Sequence, residues 1–207
     1  MGILIKFLLY FSLVFIFTGC SIKTPSINTN KNHSHQNEAK IVNTLNSYIN
    51  KNTGKDCSDF VSIVNKELQN IYFEEKELNF ALATTKSEAI YNLFEKQGKI
   101  LTKGLPNIGD LIFFKDTVKS SKIKPQISHI GIVSDVHDDN TIIFIHQLNG
   151  KVTKGHINLN NMDSHNINGK IVNSFIVRCP TKNTPNHKCL SSKFLAGYGK
   201  ITKHSIK

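Results

Sequence analysis

The sequence predicts an α+β fold in which N-terminal helices pack on a small antiparallel β-sheet. Apolar residues recur at helical spacing as far as Gly98, whereas from Asp110 onward short apolar runs alternate with turn residues. Helices first and a strand meander second is the order typical of α+β proteins. The chain has 207 residues, of which 39% are hydrophobic, so one domain can bury its own core and disorder of the whole chain is excluded.

Three helices are predicted in the first half of the domain. Apolar residues at every fourth position predict the first helix over 38–50. The second is predicted to run from an N-cap at Asp56 to about Phe73, which places Cys57 in its first turn. The third is predicted to begin at a Ser87 N-cap.

Five strands are predicted to follow, because short β-branched and aromatic runs are bounded by turn residues. They cover residues 110–114, 128–136, 141–148, 151–157 and 171–179. The dipeptide Asn149-Gly150 predicts a tight hairpin between the third and the fourth. The domain is expected to span 38–180, with a loop at 158–170 and a short basic C-terminal tail at 181–207.

The N-terminus predicts export. Residues 1–19 have the pattern of a secretory signal, since an apolar run of 11 residues follows Lys6 and is too short for a spanning helix. The small residues before Cys20 resemble the lipobox of bacterial lipoproteins, which implies lipidation of Cys20 and a lipid anchor in a membrane of the bacterial cell envelope, on the periplasmic face. An ordinary signal peptide that leaves a free thiol is the alternative. Residues 20–37 contain few apolar side chains and are expected to form a flexible tether.

The formal net charge of +11 does not indicate nucleic-acid binding. Arg178 is the single arginine among the 26 basic residues, and arginine supplies the forked contacts that read bases and clamp phosphates. The lysines are spread along the chain without a dense run. This pattern is typical of a composition rich in Lys, Asn and Ile with a solvated basic surface. The smaller functional consequence is a diffuse positive field, which would favour an anionic neighbourhood such as a membrane surface or a cell-wall polymer. No nucleic-acid partner is predicted.

The roles predicted for the four cysteines depend on the sequence around each of them. An exported protein can form disulfides, and Cys179 and Cys189 flank a short loop that contains prolines, so they are a candidate pair. No spacing is of the CxxC type, so no metal site is predicted. With Cys20 lipidated, Cys57 remains alone, either as a small buried hydrophobe or as a nucleophile.

The position of Cys57 suits a nucleophile. The first turn of a helix presents free N–H groups and partial positive charge, which are expected to lower a thiol pKa and can hold an oxyanion. His129 and His146 lie on strands predicted to be neighbours, close enough for a hydrogen bond in which one imidazole is the base and the other orients it. Two packing histidines are the alternative.

Four segments share a family pattern. They are DCSDFV at 56–61, GDLIFF at 109–114, SHIGIV at 128–133, and FIH at 144–146 with GKV at 150–152. In composition and order they resemble the motifs of the NlpC/P60 cell-wall cysteine peptidases, over roughly residues 38–178. The resemblance implies a papain-like fold in which helices supply the cysteine and a small antiparallel sheet supplies its two polar partners.

The resemblance also implies a reaction. Cys57 would be the nucleophile, His129 the general base and His146 the residue that orients the base. The enzyme would hydrolyse amide bonds of peptidoglycan stem peptides, typically next to a D-glutamyl residue, through an acyl-enzyme and without a metal or organic cofactor. The alternatives are a catalytically weak or inactive lipoprotein that binds cell wall, and an acyltransferase on the same scaffold.

The resemblance also implies residues that support the oxyanion, and the sequence departs from the family pattern at several positions. The backbone N–H of Cys57 would hold the oxyanion, with Asp56 and Ser58 beside it as support and Tyr48 as the candidate for the upstream tyrosine of the family. Asp59 stands where the family has glycine, and its charge is expected to weaken thiolate formation. The family's upstream Gly-Gly stretch is missing, and a lysine-rich insertion follows the first strand motif.

Overall fold

The computed structural model describes residues 29–118, 126–179 and 185–201. Within these ranges the chain has an α+β fold, with three α-helices and an antiparallel six-stranded sheet. The helices are α1 (Thr29–Ser47), α2 (Cys57–Glu67) and α3 (Lys86–Lys96). No helix in the described ranges combines the length and the apolar character that crossing a membrane requires.

The main sheet is formed by six strands in the order β1-β8-β2-β3-β4-β5, with every neighbouring pair antiparallel. These strands are β1 (Ile100–Leu101), β2 (Leu111–Lys115), β3 (Ile127–Val136), β4 (Ile142–Leu148), β5 (Lys151–Ile157) and β8 (Leu195–Gly199). A separate two-stranded ribbon consists of β6 (Asn166–Ile167) and β7 (Lys170–Ile171). The strands predicted from β2 to β5 are confirmed to within one residue at each end. Asn149 and Gly150 both have positive φ, 51° and 77°, as a tight primed hairpin turn requires.

The first helix includes residues that were predicted to belong to a flexible tether. Residues 29–37 are helical, so a flexible tether over 20–37 is wrong for this part. Ile41 and Leu45 of α1 are fully buried in the core. A helix anchored by such packing can extend into polar residues, because adding a residue to an existing helix costs far less than starting one. The predicted signal at 1–19 and the lipidated Cys20 lie outside the described residues.

The second helix is shorter than the apolar spacing predicts. It ends at Glu67, not at Phe73, because Gln69 and Asn70 have φ of 59° and 60°, which an α-helix does not contain. The buried amide of Asn65 holds the turn that follows, donating to the Phe73 carbonyl at 2.8 Å. The apolar residues after the turn still enter the core, so their spacing indicated burial but not helix.

The third helix is capped two residues earlier than predicted. The side chain of Thr85, not that of Ser87, accepts the hydrogen bond from the N–H of Glu88, at 3.0 Å. The Thr85 hydroxyl also donates to the carbonyl of Ile127 at 2.8 Å, which fixes the start of α3 to β3. Ser87 therefore lies in the first helical turn, where it is buried.

The predicted strand over 171–179 is wrong. Lys170–Ile171 pairs only within the small ribbon, and Phe175 makes a single isolated bridge to Leu190. The amide of Asn173 donates to the carbonyls of Asn161 and Ser164, both at 2.8 Å. Side-chain hydrogen bonds of this kind give the segment an alternative to a β-ladder.

The predicted C-terminal tail is also wrong, because β8 lies inside the sheet between β1 and β2. Tyr198 of β8 is fully buried. The domain therefore does not end at residue 180. A disulfide joins Cys179 to Cys189 and closes the connection that leads to β8.

Both α2 and α3 pack on β3, so their first turns lie over the strand that carries His129. Phe60 and Val64 of α2 and Ile90 of α3 are buried in one cluster with Ile130 from the sheet. The fold thus brings the start of two helices and the middle of the sheet to one place.

Candidate active site

The N-terminus of α2 places Cys57 by side-chain capping. Asp56 has an extended backbone, and its Oδ1 accepts hydrogen bonds from the N–H groups of Ser58 at 2.8 Å and Asp59 at 3.2 Å. The Ser58 hydroxyl donates to the same oxygen at 2.6 Å. The predicted N-cap is therefore present, and Cys57 occupies the first turn with 6% of its surface exposed.

The thiol is buried beside a hydroxyl. Its Sγ lies 3.7 Å from the Oγ of Ser87. Burial raises the pKa of Cys57 to about 11, and the charge of Asp56 adds to the rise, while hydrogen bonds from Ser87 and from the backbone of Ile130 oppose it. The expectation that the helix start lowers this thiol pKa is therefore wrong, because loss of water disfavours the thiolate more than the helix N-terminus favours it.

The two strand histidines meet as predicted. His129 Nε2 and His146 Nδ1 lie 2.7 Å apart, and the two rings are nearly perpendicular. Gly131 leaves room for this contact, since a Cβ there would lie only 3.1 Å from the Cβ of His146. The aromatic rings of Phe114 and Phe144 pack against the pair and restrict its motion.

Both imidazoles are uncharged at neutral pH. Burial lowers the pKa of His129 to about 4, although the nearby carboxylate of Asp56 opposes this effect. Burial and the neighbouring His129 hold the pKa of His146 well below its usual range. A neutral imidazole has one unprotonated nitrogen, so His129 can accept a proton.

Cys57 and His129 line one cleft of about 320 Å³. Side chains from the loop before α2, from the end of β2 and from the β4–β5 hairpin complete its walls, namely Lys55, Asp56, Thr117, Val118, Gln147 and Leu148. His146 does not line the cleft and lies behind His129. The structure therefore brings the three residues predicted to be catalytic together, with Cys57 and His129 at one opening and His146 in contact with His129. Among the described residues no hydrogen bond joins Cys57 to His129, and the thiol contacts Ser87 instead.

Gln147 anchors the loop that precedes Cys57, and sequence reasoning missed it. Its Oε1 accepts from the N–H of Thr53 at 2.9 Å and from the Thr53 hydroxyl at 2.5 Å, and its Nε2 donates to the carbonyl of Gly54 at 2.9 Å. Strand β4 thus contacts His129 through His146 and the loop before Cys57 through Gln147. The sequence feature that could have identified Gln147 is its position directly after His146, since the two are adjacent polar residues in a strand that is otherwise apolar.

Tyr48 does not support the oxyanion. Its hydroxyl donates to Glu67 at 2.7 Å, and this carboxylate raises the pKa of Tyr48 to about 12. Glu67 ends α2 whereas Cys57 begins it, so at 1.5 Å per residue the two ends are about 15 Å apart. The predicted role of Tyr48 is therefore wrong.

The carboxylate of Asp59 accepts a backbone hydrogen bond. Its Oδ2 accepts from the N–H of Lys55 at 2.7 Å, which stabilises the loop before α2. The carboxylate that raises the pKa of Cys57 is that of Asp56, its direct neighbour. A negative charge was predicted to disfavour the Cys57 thiolate. The residue that has this effect is the N-cap Asp56, not Asp59.

Acidification is expected to destabilise the protein through the buried histidines. Their pKa values in the folded state lie below the usual 6.5, so below pH 6.5 the unfolded chain binds more protons than the folded chain. The free energy of unfolding therefore falls as the pH drops from about 6.5 through about 4, with about 1–2 kcal/mol lost at pH 5 through His129 alone. Urea titrations at pH 7 and pH 5 measure the loss, which His129→Gln should reduce. Equal stability of the native protein at both pH values would contradict the burial of neutral imidazoles.

Within the described residues, no group of three or more histidine, cysteine or acidic side chains is arranged to hold a metal ion. No protein-family model matches this chain, and neither curated proteins nor solved structures give a match.

Proposed function

We propose that the protein is a cysteine peptidase or amidase with a papain-like NlpC/P60 arrangement, which hydrolyses amide bonds of peptidoglycan stem peptides. The observation that carries the proposal is the convergence of Cys57 and His129 on one cleft, with His129 Nε2 at hydrogen-bond distance from His146 Nδ1. Nucleophile, base and orienting residue are the three roles that covalent acyl transfer needs.

The contact between the histidines engages Nε2 of His129 and leaves its Nδ1 as the nitrogen for proton transfer. In the tautomer with a proton on Nε2, His129 donates to Nδ1 of His146. Nδ1 of His129 is then unprotonated and can take the proton of the Cys57 thiol. Because His146 and the ring of Phe114 restrict the His129 imidazole, its orientation is set before the transfer.

Each proton in the proposed cycle has a carrier. His129 takes the thiol proton as Cys57 Sγ bonds to the substrate carbonyl carbon, and it gives that proton to the leaving amine as the C–N bond breaks. Water then attacks the thioester carbonyl while His129 takes one of its protons, the C–S bond breaks to release the acid, and His129 returns the proton to the Cys57 sulfur. The Asp56 side chain caps the N–H groups of Ser58 and Asp59 and not that of Cys57, so the Cys57 N–H is the one assigned to the developing oxyanion.

The proposed location follows from the sequence. The signal pattern, the lipobox at Cys20 and the net charge of +11 support a lipid-anchored protein facing the anionic cell envelope. A peptide of the cell wall is the amide substrate at hand in that compartment. By resemblance, the bond cleaved lies next to a D-glutamyl residue.

Binding of cell-wall peptide without cleavage is a second candidate. One observation favours it, because the buried thiol has a raised pKa and contacts Ser87 in place of His129. A binding protein would use the same cleft and leave the peptide intact.

Mass spectrometry of purified peptidoglycan after incubation with the protein separates the two candidates. Hydrolysis should yield new fragments that together carry one new carboxyl and one new amino terminus per bond cut. Sedimentation of the protein with peptidoglycan, with no new fragments, would contradict hydrolysis and support binding.

A further inference from the structure

Ser87 is a buried hydroxyl for which the fold provides one partner. It lies in the first turn of α3 with 3% of its surface exposed. Among the described residues, the Cys57 thiol at 3.7 Å is the only hydrogen-bond partner of its Oγ. A serine hydroxyl can donate as well as accept, so its role changes with the charge on the sulfur.

We propose that Ser87 is a further catalytic residue, whose hydroxyl donates a hydrogen bond to the Cys57 sulfur when the thiol loses its proton. The inference rests on the proposed role of Cys57 as a nucleophile. Ser87 exchanges no proton and forms no covalent bond, because the thiol proton passes to His129.

The position of Ser87 is fixed relative to both reacting groups. Thr85 caps α3 by accepting from the N–H of Glu88, and its hydroxyl donates to the Ile127 carbonyl, two residues before His129 on β3. The hydroxyl of Ser87 is therefore held on a rigid helix that is bonded to the strand of the base. A donor held in this way costs little reorganisation when charge appears.

The site needs such a donor because the sulfur is largely shielded from water, with 6% of the Cys57 surface exposed. A charge formed at a buried atom must be stabilised by fixed dipoles in place of solvent, and hydrogen bonds to charged groups are roughly twice as strong as neutral ones. The helix start and the backbone of Ile130 contribute, and Ser87 adds the side-chain donor.

Of the charged groups that the structure describes around the sulfur, only His129 can favour a thiolate, and it does so only after it has taken the thiol proton. Asp56 at the start of α2 opposes a thiolate, and His129 on β3 is neutral until it takes the proton. Lys55 lines the cleft but is exposed to solvent. On α3, Lys86 pairs with Glu75 at 2.7 Å.

Alkylation of Cys57 by iodoacetamide tests the proposal without a cell-wall substrate. The rate is measured between pH 7 and 9.5 by mass spectrometry of the peptide that contains Cys57, using the native protein, Ser87→Ala, Ser87→Thr and Ser134→Ala. Loss of one charge-assisted hydrogen bond should raise the thiol pKa by about one unit, and the greater reactivity of a more basic thiolate offsets part of this. Ser87→Ala is therefore expected to react about three- to tenfold more slowly at each pH. Ser87→Thr, which keeps the hydroxyl, should restore the rate.

Ser134 is the matched control. It is a buried serine on β3 whose hydroxyl donates to the Ile143 carbonyl, away from the thiol, so Ser134→Ala should react like the native protein. Equal rates for Ser87→Ala and the native protein would overturn the proposal, as would a Ser87→Thr rate as low as that of Ser87→Ala. Thermal melting shows that each variant is folded, and Ser87→Gly replaces Ser87→Ala if the alanine variant is not. Peptidoglycan cleavage is assayed separately, so an inactive native protein would refute the proposed function while the alkylation rates still report on Ser87.

Discussion

Replacing Cys57 with alanine is expected to abolish peptidoglycan cleavage, with a loss of at least about 10⁴-fold in rate. The sulfur is the atom that would bond to the substrate carbonyl, and of the cysteines in the ranges that the structure describes, Cys57 alone lines the cleft. Alanine leaves the Asp56 cap, the histidine pair and the cleft walls in place, so substrate can still bind. The rate is measured as release of soluble muropeptides from purified peptidoglycan.

The control for Cys57→Ala is a measurement that shows that the variant still folds. Cys57 is small, and its removal from the core should cost about 1 kcal/mol in the free energy of unfolding, measured by urea titration. Ser62→Ala, also in α2, is the matched variant, since its hydroxyl donates to the Ser58 carbonyl away from the cleft, and it should retain activity. Cleavage by folded Cys57→Ala at the native rate would refute the nucleophile assignment.

Replacing His129 with glutamine is expected to reduce cleavage by about 10²–10⁴-fold. In the described part of the chain, His129 is the one histidine that lines the cleft, so it is the imidazole placed to take the thiol proton. Glutamine approximates the size of imidazole but cannot act as a base. His146→Gln should reduce the rate less, because His146 contacts the base and not the sulfur.

His137→Gln is the matched control for the base. His137 follows β3 and pairs with Asp135 at 3.3 Å, outside the cleft. Its replacement should leave the cleavage rate within about twofold of the native value, as expected for a surface residue away from the site. A larger loss from His137→Gln than from His129→Gln would contradict the choice of base.

The sequence predicted those parts of the site that depend on local patterns. Asp56 is a strong N-cap, so the position of Cys57 in a first turn followed from neighbouring residues alone. His129 and His146 lie on consecutive strands of a meander, and consecutive antiparallel strands pair as neighbours. The contact between these histidines was therefore predictable without the fold of the whole chain.

The thiol pKa was not predictable, because it depends on residues distant in the sequence. The helix start that favours a thiolate is local, whereas burial under α3 and β3 is a tertiary effect. Ser87 was missed for the same reason. Its sequence context suited an N-cap, and its proximity to Cys57 appears only once the two helices pack on the same strand.

The last strand was missed because its sequence lacks the usual signal. Leu195–Gly199 contains two glycines and no β-branched residue, so it scores poorly as a strand. In the fold Gly199 packs against Phe94 and Phe113, whose rings leave no room for a Cβ. Packing against the core, and not intrinsic propensity, determines this strand.

Digestion of peptidoglycan in the presence of hydroxylamine tests the acyl-enzyme on Cys57 most directly. A thioester can pass its acyl group to hydroxylamine, so fragments released by the native protein should carry a hydroxamate at the new C-terminus, in competition with the carboxylate from water. Mass spectrometry distinguishes the two ends, and Cys57→Ala should give neither. Release of carboxylate ends alone, at every hydroxylamine concentration, would show that water attacks the amide directly and would contradict covalent catalysis by Cys57.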